Sequence, residues 1–241
     1  MRIMLAMPCG GLPSVASSRA FFQDASRKHE LMTTAPTFSA LSTNFNKCWA
    51  AGIANAMDDQ VDLFAMMHND VEPEPLWLDT MVDELLRLKL DILSAVIPIK
   101  DETGNTSTAI GPVDDEWENT LLTLDEIRML PATFTDDDLK PFRRKLNKPD
   151  HRLMLNTGCW VADLRNKKFW KVDNGLLTFF FTQKDRILYD GKRFSCALAS
   201  EDWNFSRICH REGIRIAATR IIEVKHHGAR AFSNRGLHNA G

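Results

Sequence analysis

The sequence predicts an α/β fold, a sheet of mostly parallel strands covered by helices. Three observations carry this. Apolar runs alternate with stretches of helical periodicity over residues 3–99, in the order β-α-β-α-β-α-β. The strongest of those runs are short and nearly continuous, the pattern of strands buried on both faces. Comparable runs return at residue 152, after a less regular stretch.

Residues 3–7 form the first strand, which Pro8, Gly10, Gly11 and Pro13 interrupt. Ser14 or Ser17 caps a helix whose apolar face includes Val15, Phe21, Phe22 and Ala25. Residues 31–34 make a short second strand. From about residue 42 to 57, Phe45, Trp49, Ile53 and Ala56 recur at helical spacing. The first turns of that helix, with Thr43, Asn44 and Asn46, are expected near the strand ends. Residues 61–70, VDLFAMMHND, are the strand around which the rest is arranged. Pro73 and Pro75 punctuate the turn after it, and Pro75 suits a first helical turn. Trp77, Met81, Leu85 and Leu88 mark a third helix, and the almost wholly apolar run 92–99 reads as a central strand.

Beyond Lys100 the pattern weakens. Residues 101–150 carry acidic clusters (Asp114, Asp115, Glu116; Asp136, Asp137, Asp138), prolines between them, and helical hints over 121–130. They read as an irregular insertion or lid on a single domain spanning 1–241. Residues 152–161 read as one strand, 164–172 as a helix, and 176–182 as a buried apolar segment of either type. Ser200 opens a helix that runs to Glu212 and stops at Gly213. Strands at 214–218 and 221–225 then lead into His226, His227 and Gly228. The polar tail 229–241, with Arg230, Arg235 and His238, is expected to be mobile without a ligand.

Composition narrows the function. Of 241 residues 44% are hydrophobic and 26% charged, with a formal net charge of −2, so no global basic field points to nucleic acid. Arg143, Arg144 and Lys145 form a local basic patch at most. The five cysteines are scattered, odd in number and without a C-x-x-C spacing, which reads as reduced thiols in a cytoplasmic protein. The N-terminal apolar run is too short for a signal peptide, and no run has the length to span a bilayer.

Three clusters carry chemistry. In open α/β sheets ligands bind just beyond the carboxyl ends of strands, and the strand 61–67 delivers His68, Asn69 and Asp70 there. All three can coordinate a divalent cation, directly or through water; Asn69 and Asp70 equally suit a plain turn. Ser200, Glu201 and Asp202 place two carboxylates in a first helical turn. There they favour the helix dipole, or one of them serves as a general base. His226 or His227 ligates a metal or is an ordinary surface residue. Adjacent strand side chains point to opposite faces, so one of the pair is expected to reach a metal.

Taken with the loop after the first strand, the STNFNKCW helix start, the Asn156-Thr157-Gly158 segment, SEDWNFSRICHREG and Val224-Lys225-His226-His227-Gly228, these clusters resemble the GT-A fold glycosyltransferases of the family-2-like kind. The likeness spans nearly the whole chain. It implies a Rossmann-like mixed sheet flanked by helices, and a hexosyltransferase moving sugar from a UDP- or GDP-sugar to a glycan or other hydroxyl acceptor. By the same resemblance Asp70 and His226 would hold Mn²⁺ or Mg²⁺, with His68 beside them. Pro8, Asn44, Asn46, Asn69 and Arg230 would line the donor, and Arg230 and Arg235 would close over its diphosphate. Asp202 would take the acceptor's proton with inversion, and Glu201 would position the helix or touch the sugar. The motif departs from D-x-D at its first position, where His68 replaces an acid. The rival readings are a sugar-nucleotide nucleotidyltransferase, for which the loop at 7–11 lacks an adjacent Lys or Arg, and a non-catalytic nucleotide- or glycan-binding module.

Overall fold

A computed structural model describes residues 1–228 and 231–235 of the chain. From Ile3 onward every residue of β1 (Arg2–Ala6) is buried. Ser14, not Ser17, caps α1 (Val15–Phe22): its Oγ accepts from the backbone N–H of Ser17 at 2.9 Å. The half-exposed β2 (Glu30–Thr34) is an edge strand. Helix α2 (Leu41–Met57) buries Phe45, Trp49, Ile53 and Ala56 at the expected spacing. Gly52 lets it approach the sheet, for a Cβ there would stand 2.6 Å from the Phe64 ring. Then come β3 (Leu63–Met67), buried throughout, β4 (Val71–Pro73), α3 (Trp77–Arg87) and β5 (Ile92–Ala95).

The middle of the chain holds β6 (Asn105–Gly111), β7 (Thr120–Thr123), α4 (Leu124–Arg128), β8 (Thr133–Thr135), α5 (Lys140–Lys145), β9 (Arg152–Met154) and β10 (Cys159–Asp163). A 3₁₀ turn, Lys167–Trp170, precedes β11 (Val172–Asp173), β12 (Leu176–Leu177), β13 (Lys184–Tyr189) and β14 (Phe194–Ala199). Helix α6 (Glu201–Arg211) and strands β15 (Ile216–Thr219), β16 (Val224–His227) and β17 (Ala231–Ser233) complete the order.

Seven strands form the main sheet in the order β2-β1-β3-β10-β5-β15-β8. Pairs β1–β2, β1–β3 and β5–β15 are parallel; β10 runs antiparallel to both neighbours and β8 antiparallel to β15. The fold is therefore a mixed α/β sheet with helices on both faces. Strand alternation divides the core cleanly. Phe64 and Met66 of β3 join Trp49 of α2 and Phe205 of α6 on one side. Leu63, Ala65 and Met67 join Phe21 of α1 and Trp77 of α3 on the other. No helix among the described residues is long and apolar enough to cross a membrane, and the five cysteines are free.

The structure departs from expectation in the second half. The stretch 101–150 is regular: β6 pairs with β7 and β9, β8 extends the main sheet, and Ile110, Leu122, Ile127, Phe134 and Leu139 join the core. Its elements are too short for periodicity to show. The single strand expected over 152–161 is two, β9 in the small sheet and β10 in the main one, with a bend at 155–158. The helix expected over 164–172 shrinks to the 3₁₀ turn. Past β12, residues 178–182 carry no strand, yet Phe179 and Phe181 pack beneath α2 and α6, Phe181 stacked on Phe205 at 4.4 Å. The hairpin β13–β14 has no counterpart among the expected elements. The strands expected at 214–218 and 221–225 each begin two or three residues later. Arg230, His238 and most of the expected mobile tail lie outside the described residues.

Candidate functional site

Strand β3 ends where the chain turns through His68, Asn69 and Asp70 into β4. Strand β16 lies antiparallel to β4 with His226 opposite Val71, and the His227 N–H donates to the Asp70 carbonyl at 2.8 Å. This pairing brings the two distant motifs together. Asp70 Oδ2 accepts from the Lys100 ammonium and faces His226 Nε2 at 3.6 Å. His226 Nδ1 lies 2.9 Å from the carbonyl of Pro98; a carbonyl only accepts, so Nδ1 carries a proton and Nε2 turns to Asp70. His227 points to the other face and meets Glu72 Oε2 at 2.7 Å. Burial would raise the pKa of Asp70, but the contact with His226 and the hydrogen bond from Lys100 outweigh it and hold the carboxylate far below its ordinary value.

The other residues expected here have different surroundings. His68 is partly buried with its ring 4.7 Å from that of Phe45, and its Nε2 is shielded from solvent with no hydrogen-bond partner among the described residues. Burial lowers its pKa to about 4, so the imidazole is neutral at physiological pH. Asn69 donates to the Gly11 carbonyl at 3.2 Å, and its own carbonyl accepts from Ser14, tying the end of β3 to the loop that follows β1. Pro8 is buried at the root of that loop. Asn44 spends its amide N–H groups on the carbonyls of Cys9 and Pro36. Asn46 exchanges two 2.7 Å hydrogen bonds with the backbone of Phe181. Both asparagines anchor α2 to neighbouring loops, a task sequence spacing does not reveal. Arg235 ion-pairs with Glu223 at 3.8 Å, and Arg230 lies outside the described residues.

The loop 155–158 bridges this cluster to α6. Asn156 donates to the Ala95 carbonyl at 2.8 Å and accepts from Ser94 Oγ at 2.6 Å, which fixes the loop on the end of β5. The Gly158 carbonyl accepts from the His68 N–H at 2.8 Å. Gly158 has no space for a side chain, since a Cβ would stand 2.7 Å from Ile97 Cδ1. Thr157, one residue before it, donates from Oγ1 to Asp202 Oδ1. Adjacent residues of one loop thus touch both candidate clusters.

Asp202 sits in the first turn of α6. The Ser200 N-cap oxygen accepts from its N–H at 3.3 Å, and the next residue, Trp203, donates from its indole to the Ser107 carbonyl at 3.2 Å. Glu201 is only 6% exposed and faces Ser200 Oγ at 3.4 Å. Neither acid forms an ion pair among the described residues. Burial, and then the charge of Glu201, push the Asp202 carboxyl far above the ordinary range; burial raises Glu201 as well. Glu201 is buried and Asp202 partly so, and two such carboxyl groups side by side do not both ionise easily, so their titrations are linked.

Lys100 and Thr157 complete this arrangement. Lys100 carried a detectable mark, a cation directly after the apolar run 92–99. The expected divalent ion fits this donor set poorly. Asp70 Oδ2 already bears an ammonium, His68 is packed against Phe45, and no group of three or more His, Cys, Asp or Glu side chains is placed to hold an ion among the described residues. A cleft of about 660 Å³ lies elsewhere, between the 113–117 loop and α6, with Trp117, Phe180, Arg207 and Arg211 in its walls.

Together these features define an α/β protein with a charged strand-end cluster joined by one loop to two largely buried carboxyl groups that form no ion pair among the described residues. No family model matches the chain, and no curated protein matches it. Among solved structures it is similar to A197 from STIV, with 11% identity over 95% of this chain and 86% of that one, at a TM-score of 0.49. It is also similar to two variants of UDP-glucose pyrophosphorylase from Leishmania major. The one in complex with UDP-glucose shows 12% identity over 90% of this chain and 51% of that one, at a TM-score of 0.32. The other shows 9% identity over 91% and 61%, at a TM-score of 0.40. The chain spans between half and three fifths of the pyrophosphorylase length. Likeness at this level reaches no further than the general layout of sheet and helices.

Proposed function

We propose that the protein is an inverting glycosyltransferase of GT-A type, moving a hexosyl group from a UDP- or GDP-sugar to a hydroxyl of a glycan or other acceptor. The observation that carries this reading is the loop 155–158, in which Thr157 bonds to Asp202 and the adjacent Gly158 bonds to His68 of the strand-end cluster. A hydroxyl is a weak nucleophile until a base takes its proton as attack proceeds. Asp202 is that base. Its high pKa makes it a stronger proton acceptor than an ordinary aspartate. Thr157 holds Oδ1, which leaves Oδ2 for the acceptor's proton. As the acceptor oxygen bonds to the anomeric carbon, the bond to the phosphate oxygen breaks and its electron pair leaves with the nucleoside diphosphate. The charge of Glu201 helps to raise the Asp202 carboxyl, and Glu201 positions the start of α6. Asn69, through Gly11 and Ser14, shapes the loop on the donor side.

The test is a donor panel read by release of free nucleoside diphosphate, with Asp202→Asn as the control. The substitution is expected to preserve folding and donor binding while transfer falls about a hundredfold or more, the usual scale for losing a general base. Near-normal transfer by that variant removes Asp202 from the mechanism. Release of pyrophosphate from a nucleoside triphosphate would instead identify a nucleotidyltransferase, and binding without any release a recognition module.

A further inference from the structure

Resting on the donor reading above, we infer that the Lys100 ammonium is the cation that receives the donor's diphosphate, in the place where a divalent metal ion is expected. Lys100 stands at the same end of the sheet as Asp70, just past the apolar run that includes β5. Its Nζ is held by Asp70 Oδ2, the one hydrogen-bond partner it has among the described residues. An ammonium has three N–H donors, so two remain for phosphate oxygens. The side chain is 34% exposed, which keeps those donors open to a ligand from solvent.

The neighbours hold Lys100 where it stands. Gly228 lies against its aliphatic stem, and a Cβ there would come within 3.2 Å of Lys100 Cδ. His226 closes the far side of Asp70 at 3.6 Å, and the Pro98 carbonyl, two residues before Lys100, fixes the imidazole. The backbone of β16 brings both Gly228 and His226 to this place by pairing with β4. A divalent ion on Asp70 Oδ2 would have to evict the ammonium or sit in contact with it, two cations on one oxygen. With Lys100 in place, negative charge gathering on the departing diphosphate meets a fixed positive group with unused donors, and no ion has to be recruited. Asp70 then serves as the residue that positions Lys100 and not as a metal ligand.

The experiment measures binding of UDP, GDP and inorganic pyrophosphate to the full chain by calorimetry, in EDTA and again with Mn²⁺ or Mg²⁺. At least one probe is expected to bind in EDTA with an affinity within about twofold of that with metal. Lys100→Gln should weaken binding in EDTA by about tenfold or more, the scale of a charge-assisted hydrogen bond. Added Mn²⁺ should restore part of the loss, because Asp70 is then free to take an ion. Lys100→Arg should retain most of the affinity in EDTA. Wild-type binding that needs metal overturns the inference and leaves the donor reading standing. Lys100→Gln binding as tightly as wild type in EDTA overturns it too. Binding of no probe under either condition overturns the donor reading itself, and the inference with it. The wild-type EDTA comparison needs no variant, so it decides the matter even if a Lys100 variant misfolds.

Discussion

Asp70 and Asp202 are the same side chain at one end of one sheet, and their surroundings push them in opposite directions. Asp70 is about one third exposed, and its contact with His226 and hydrogen bond from Lys100 overcome its burial to keep it ionised. Asp202 has burial and Glu201 against its charge, with the hydroxyl and the backbone N–H of Thr157 in its favour. Two acids whose environments separate their pKa values divide the labour between them. The one with fixed charge organises charge around a ligand. The one that resists ionisation is worth protonating and deprotonating in a reaction cycle. Burial alone does not set the difference, because burial raises both; the nearby cations do.

The sharpest break between the two is kinetic. Asp202→Asn should lower kcat about a hundredfold with little change in donor binding. Asp70→Asn should do the reverse, weakening binding of UDP or GDP by about tenfold as Lys100 loses its tether, with a smaller change in kcat. Calorimetry on both variants beside steady-state rates checks the split. Equal losses in both quantities for both variants would mean that the clusters act as one site without division of labour.

Stability against pH should separate the same pair by sign. The folded-state pKa of Asp70 is lowered, so its contribution to stability is present above the ordinary value near 4 and is lost as pH falls below it. The folded-state pKa of Asp202 is raised, so its contribution is complete below that ordinary value and is lost as pH rises toward the folded one. Relative to wild type, Asp202→Asn should therefore gain Tm as pH is raised from 5 to about 8. Asp70→Asn should fall behind wild type at neutral pH and draw level on acidification. Thermal melts from about pH 2 to about pH 8 decide it, and parallel profiles for the two variants would sink the contrast.

The smallest expected effect is that of Thr157→Val. Losing the one hydroxyl that favours the Asp202 carboxylate should move the inflection of the rate–pH profile upward and lower transfer at neutral pH about threefold to tenfold. An unchanged inflection would mean that Thr157 only supports the loop.

The regions differ in legibility for a related reason. Helices α2, α3 and α6 and strands β1 and β3 were visible because each buries one periodic face or a continuous apolar run. The elements from β6 to β9 run three to seven residues, and their core residues come in ones and twos among polar neighbours. Asn46 shows the same limit at the site. Its place near the start of α2 suggested a donor contact, whereas its amide is spent on Phe181, 135 residues away.

The sequence by itself determined the α/β class, the buried strand that ends in His68, Asn69 and Asp70, and the capped helix start that carries Glu201 and Asp202. These are short-range properties, set by the period of apolar residues and by the preference of Ser and acids for a first helical turn. Tertiary structure alone decided that β10 returns antiparallel through the sheet, that His226 and not His227 faces Asp70, and that Lys100 occupies the carboxylate expected to hold a metal. Those choices depend on strand order and register between segments far apart in the chain: 30 residues separate Lys100 from Asp70, and 45 separate Thr157 from Asp202. Local periodicity carries no information about which distant residue a side chain will meet, and the charge a buried carboxylate keeps is set by that meeting.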